Sequence, residues 1–212
     1  MKIKQVFFAI IIFLFTGSLI AQDTFEGKVV FEVQDVSEQQ VMDYYAKDKK
    51  YRMEMPDKGG TILFDSNKLM MYVLMDKEKM YLESQMMSLS MGGAGSVSKT
   101  GETKTILGHV CEKFVFEQED LSGEAWMTKD LGAFMFFMES QQDMPSWQNE
   151  IIDAGYFPLQ VTQYSKREDK KSVYNVIEVT PMELSDDLFV VPPSYEKLDL
   201  TGLGGLEKLI GK

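Results

Sequence analysis

GETKTILGHVCEKFVFEQEDLSGEAWMTKDL, residues 101–131, reads as three consecutive antiparallel strands joined by turns. Residues 103–107 are β-rich and end at Gly108. From Val110 the residues alternate, with Val110, Glu112, Phe114 and Phe116 on one face and Cys111, Lys113, Val115 and Glu117 on the other. The polar run Glu119, Asp120, Ser122 and Gly123 reads as the next turn, and residues 124–128 return as a strand carrying Trp126. A meander with one apolar face needs a cover, so the rest of the chain has to supply it.

Outward from this stretch the pattern stays β. On the N-terminal side, Phe25, Gly27, Val29, Phe31 and Val33 alternate with polar residues, which is a half-buried strand. Residues 42–55 read as one long strand interrupted by the charged hinge at 47–50, and Pro56, Gly59 and Gly60 mark a reversal. Short strands are expected at 61–64, 68–75 and 79–83, the second apolar on both faces and so covered on both. The Ser, Gly and Met-rich residues 84–100 read as a loop or weak helix. Leu131, Phe134, Met135 and Met138 recur at helical spacing, and residues 145–154, with Pro145 near the first turn and Gly155 as cap, form a second short helix. A hairpin over 157–164 and 172–180 and a last strand at 188–191 complete the domain. The expectation is a mainly β (α+β) fold: one strongly curved antiparallel sheet of about ten strands, an open half-barrel, with the two helices over its concave face.

Lys2 and Lys4 precede an apolar run, then Gly17, Ser18 and Ala21, the build of a cleaved signal peptide over residues 1–21. This gives a half-barrel domain at 22–198 and a flexible Gly/Leu-rich tail at 199–212, in a periplasmic or secreted protein that does not span the membrane after cleavage. Cys111 is the only cysteine, so there is no lipid-accepting cysteine at the cleavage point and no internal disulfide. The whole chain carries 22 basic and 33 acidic residues, a net charge of −11, which repels nucleic acid. Methionine is in excess, at 16, and fills adaptable apolar space.

Four segments together carry a family resemblance: GHVCEKFVFE (108–117), EAWMTKDLG (124–132), GYFPLQV (155–161) and LFVVPPSYE (188–196). Their order and spacing resemble a family of secreted proteins of Bacteroidetes-type bacteria known as a domain of unknown function. In strand order and in the closing F-x-V-P segment the chain also resembles the periplasmic lipoprotein carriers of the LolA and LolB type. That resemblance implies an open half-barrel holding acyl chains in its concavity. Those carriers begin with a helix, whereas here Phe25 opens a strand, and no ligand-binding residue of theirs is matched.

No catalytic constellation is present: there is one His, one Cys and no G-x-S-x-G, so no enzyme activity is expected. His109 and Cys111 share a strand face, but a metal site needs three or four convergent ligands, so no metal or other cofactor is expected. Copper(I) bound by Met86, Met87 and Met91 is a third reading. The leading reading is a binding protein that holds a lipid or acyl chain, with Phe31, Met53, Met71, Val73, Phe114, Phe116, Trp126, Phe134, Met135 and Met138 lining the groove. The alternative is an envelope protein–protein interaction module with a filled core.

Overall fold

Alternating residues, short turns and few helix-forming runs produce one sheet. The computed structural model of the chain describes residues 25–34, 39–55, 60–85, 95–134, 151, 154–167 and 169–198. The strands in chain order are β1 Gly27–Gln34, β2 Gln39–Lys47, β3 Lys50–Met55, β4 Gly60–Asp65, β5 Met70–Met75, β6 Met80–Gln85, β7 Gly95–Ile106, β8 His109–Gln118, β9 Leu121–Thr128, β10 Phe157–Ser165, β11 Lys170–Pro181 and β12 Glu196–Lys197. They form a single twelve-stranded sheet in the order β12-β6-β5-β4-β3-β2-β1-β11-β10-β9-β8-β7. Every pairing is antiparallel except that of β12 with β6. Two meanders, β1 to β6 and β7 to β11, are thus sewn together by the β1–β11 ladder, in which Phe31 faces Val176.

The order of strands requires curvature. β6 and β7 stand ten strand spacings apart, about 48 Å in a flat sheet at about 4.8 Å each. Yet Gln85 ends β6 and Gly95 begins β7, and ten residues of extended chain span at most about 36 Å. The sheet therefore curls until its two arms approach, without closing. Bulges at Val30/Phe31, Pro158/Gln160 and Lys99/Thr103 supply bend and extra twist.

Several elements differ from the sequence reading. The count is twelve strands rather than about ten. The hinge at 47–50 is a two-residue hairpin turn, with Asp48 and Lys49 both at positive φ, so residues 42–55 belong to two strands. Gly95 to Thr100, expected in a loop, lies in β7, because the backbone ladder to Val115, Phe116 and Glu117 outweighs the weak β preference of Gly and Ser. Ser122 and Gly123 belong to β9 rather than to a turn. A Cβ on Gly123 would lie 2.2 Å from the Thr162 carbonyl oxygen and 2.6 Å from the Phe116 ring, so glycine is there for close approach. The expected strand at 188–191 is replaced by a 3-10 helix, Asp186–Phe189, capped by the Ser185 side chain.

Of the two helices expected over the concave face, Leu131 to Phe134 is a turn followed by irregular chain, Ile151 is helical and Ala154 lies in a turn; residues 135–150, 152 and 153 lie outside the described residues. Among the described residues the 3-10 helix is the only one with defined ends, so the architecture is almost purely β. No helix of the described residues is long and apolar enough to cross a membrane.

The inner face of β1 to β5 carries Val29, Phe31, Tyr44, Met53, Ile62 and Met71, all buried in the main apolar cluster. On the outer face the chain beyond β11 runs as a strap over the β2–β6 arm. Lys47 donates to the Leu184 carbonyl at 2.5 Å, Arg52 to that of Leu188 at 3.0 Å, and Tyr195 to Asp76 at 2.5 Å. The strap buries Leu184, Phe189 and Leu198. This accounts for apolar residues on both faces of the arm: Leu63 and Leu74 are buried outside while Ile62 and Phe64 are buried inside.

Candidate functional site

Three alternations meet at the centre of the inner face: Phe31 from β1, Tyr44 from β2 and Phe157 from β10. Phe134, from the chain that follows β9, lies on all three, with ring centroids 5.2 Å from Phe31, 5.1 Å from Tyr44 and 5.0 Å from Phe157. Tyr51 stacks on Tyr44 at 5.8 Å and extends the array towards β3. Half-buried Met42, Met55 and Val73 border it. The centre of the concavity is therefore occupied by a side chain from the connection between β9 and β10.

Of the ten residues expected to line a groove, Phe31, Met53 and Met71 are buried in this main cluster, and Val73, Trp126 and Phe134 pack against it. Phe114 and Phe116 belong to a second cluster with Ala125, Met127, Ile151 and Tyr156. Met135 and Met138 lie outside the described residues. Trp126 projects from the face of β9 opposite to Ala125 and is flanked by the ammonium groups of Lys104, at 4.2 Å, and Lys113, at 5.6 Å. Tyr44 and Phe157, the two largest fully buried side chains, were not among the ten. Their signal was their place in alternating strands, which marks core and ligand wall alike.

A polar group covers the second cluster. Lys99 Nζ lies 2.8 Å from the Glu112 carboxylate and 2.5 Å from the Tyr156 hydroxyl, and Tyr156 donates to Glu112. The Lys99 ammonium and the Tyr156 hydroxyl hold the Glu112 carboxyl below its usual range. Burial, then the hydrogen bond to Glu112, pushes the Tyr156 phenol up.

At one end of the sheet the termini of β1, β8, β9 and β11 and the β2–β3 turn enclose a cleft of about 610 Å³, lined by Phe25, Glu26, Asp48, His109, Asp130, Leu131, Val179 and Pro181. Leu131 belongs to the main cluster and Phe25 and Val179 pack on it, so the base of the cleft is formed by the edge of the apolar core. Its size is that of a small-molecule site, and the mouth of a barrel is a usual place for one. Phe25 is held close: its ring would lie 2.8 Å from a Cβ on Gly27. His109 Nδ1 lies 3.0 Å from Asp130 Oδ2. Sequence reasoning weighed His109 as a metal ligand or a strand-end polar group and missed the rest of this lining, which comes from strand ends far apart in the chain.

Among the described residues no three His, Cys, Asp or Glu side chains converge on a metal position. Cys111 is fully buried, its thiol directed at the His109 carbonyl at 3.6 Å and pushed up by burial. Met86, Met87 and Met91 lie outside the described residues.

The fold and cleft define a class: an open, curved, almost wholly antiparallel sheet with an apolar inner face, on whose centre Phe134 from the β9–β10 connection packs. The chain belongs to the DUF4412 family, a domain of unknown function, whose pattern matches residues 25–195. No curated protein matches its sequence. Among solved structures it is similar to PNGF-II, at TM-score 0.54 and 13% identity over 84% of this chain and 31% of that one. A second crystal form of PNGF-II gives TM-score 0.55 and 14% identity over 89% and 34%. It is also similar to an uncharacterised conserved protein from Thermus thermophilus, at TM-score 0.54 and 12% identity over 83% and 91%. The chain thus spans about a third of PNGF-II and most of the Thermus protein, and at these identities the likeness is one of fold. A chain described as an outer membrane lipoprotein-sorting protein domain, from Vibrio parahaemolyticus, aligns more distantly, at TM-score 0.37 and 8% identity over 77% and 88%.

Proposed function

We propose that this protein is a non-enzymatic binding protein of the periplasm or of the secreted fraction, which holds an apolar ligand, a lipid or acyl chain, against the inner face of its sheet. The observation that carries the reading is the cleft of about 610 Å³ whose floor is continuous with the main apolar cluster. Phe134 is the displaceable element: it fills the centre of the concavity, and the neighbouring Met42, Met53 and Met55 have the adaptable side chains that would repack around an acyl chain. Native mass spectrometry of protein purified from its own periplasm under mild conditions tests this. An adduct of lipid mass that organic extraction removes is expected, and a lone apo mass throughout would overturn the reading.

One observation favours docking of an envelope protein instead. β7, twelve residues long and exposed along most of its length, forms an edge of the sheet. Such an edge can accept an added strand. A stoichiometric protein partner recovered from native membranes, with no extractable lipid, fits only that reading.

A further inference from the structure

The cleft has two sides of different chemistry. Its floor, Phe25, Leu131 and Val179, is apolar, whereas its rim carries the carboxylates of Glu26, Asp48 and Asp130 and the imidazole of His109. Among the described lining residues there is neither lysine nor arginine. Glu26 accepts the Leu184 N–H at 2.6 Å and lies 3.5 Å from Lys47 Nζ, so part of its charge is met by the strap. Asp130 faces His109. Asp48 stands exposed on the two-residue β2–β3 turn, and its carboxylate meets no hydrogen-bond or ion-pair partner among the described residues.

From this asymmetry we infer that the cleft takes an amphiphile with a cationic head, an alkylammonium or an amine-bearing lipid, its chain on the apolar floor and its ammonium among the rim carboxylates. The inference rests on the binding-protein reading above and narrows its ligand class. A carboxylate or phosphate head would meet three carboxylates at the rim, offset by no lining lysine or arginine and only by the Lys47 ammonium behind Glu26, inside a chain of net charge −11 whose field already opposes anions. An ammonium gains from both, by roughly a few-fold in affinity for each partly exposed carboxylate. Such a cation would not compete with Lys47, which stays committed to the Leu184 carbonyl and Asp186.

The test uses the full mature protein, a neutral environment-sensitive dye bound at the apolar face, and three competitors of one chain length below their micelle concentrations: dodecylammonium, dodecanol and laurate. Dodecylammonium is expected to displace the dye at a concentration about tenfold below that needed for laurate, with dodecanol between them. Asp48→Asn, and Asp48→Asn with Asp130→Asn, should shrink the gap between amine and acid several-fold. Glu119→Gln with Glu78→Gln removes the same charge from exposed turns at the other end of the sheet and should leave the gap intact. Equal displacement by amine and acid, a gap untouched in the Asp48 variants, or one narrowed equally by the distant pair would overturn the cationic head while leaving the binding-protein reading in place. If none of the three displaces dye, or no dye binds, the binding-protein reading itself fails and takes this inference with it.

Discussion

Replacing Phe134 by alanine separates the two roles that its position combines. The ring makes three aromatic contacts, at 5.0 to 5.2 Å, each worth about 0.5–1.5 kcal/mol beyond the area it buries. Truncating a fully buried Phe costs about 3–5 kcal/mol, and Phe134 is half-buried, so the lower end, about 3 kcal/mol, is expected. At about 2–4 °C per kcal/mol for a domain of this length, the melting temperature should fall by roughly 9 °C. Phe134→Leu keeps much of the burial and loses the ring pairing, so it should fall by about half as much. The same truncation vacates space over Phe31, Tyr44 and Phe157, and binding of a hydrophobic dye to the folded variant should therefore rise as stability falls. Thermal melts by circular dichroism and dye titration well below the transition measure the two quantities. An unchanged melting temperature would refute the packing argument. A lowered one with unchanged dye binding would show that Phe134 is core and covers no ligand position.

Gly27→Ala should destabilise severely, by about 3 kcal/mol or more, because its Cβ would stand 2.4 Å from the Thr180 carbonyl oxygen as well as against the Phe25 ring; urea unfolding measures the loss, and a near-neutral value would mean that the β1–β11 contact is looser than described. Acid stability depends on Glu112. Its folded pKa lies below its ordinary value of 4.5, so its contribution is complete above pH 4.5 and disappears as pH falls through the folded value. Glu112→Gln should accordingly flatten the loss of stability below pH 4.5 and leave the slope near neutrality unchanged, as read from urea midpoints across pH.

The strands were legible where one face is buried, since that condition writes period two into the chain. Val29 and Phe31 in β1, and Phe114 and Phe116 in β8, were placed on core-facing sides from alternation alone. Bulges were not legible, because the extra residue costs no visible change in composition; Ile177 sits at one and looks like any strand residue. Nor was the strap. Leu188 to Val191 has strand-like residues, but the Ser185 cap and the Arg52 bond to the Leu188 carbonyl make it a 3-10 turn held by a side chain more than 130 residues away. The cleft was the least accessible of all. Phe25, Asp48, His109, Asp130 and Pro181 become neighbours only because β1 pairs with β11 and the sheet curls, and neither fact has a local signature.

The central ladder also has a consequence for biogenesis. β1 is made first and lies mid-sheet, yet one of its two partners, β11, is among the last strands to appear, with Phe31 and Val176 separated by 145 positions. A polypeptide emerging N-terminus first can complete the β1–β6 meander early, but until β11 arrives it presents the bare backbone of β1 as an open edge on a half-finished apolar surface. Closing so distant a pair is slow, and a waiting edge invites pairing with another nascent chain. Premature termination anywhere before β11 should therefore yield aggregates rather than smaller folded species, and a holdase that shields β1 during synthesis would raise the yield of full-length protein more than one that acts after release.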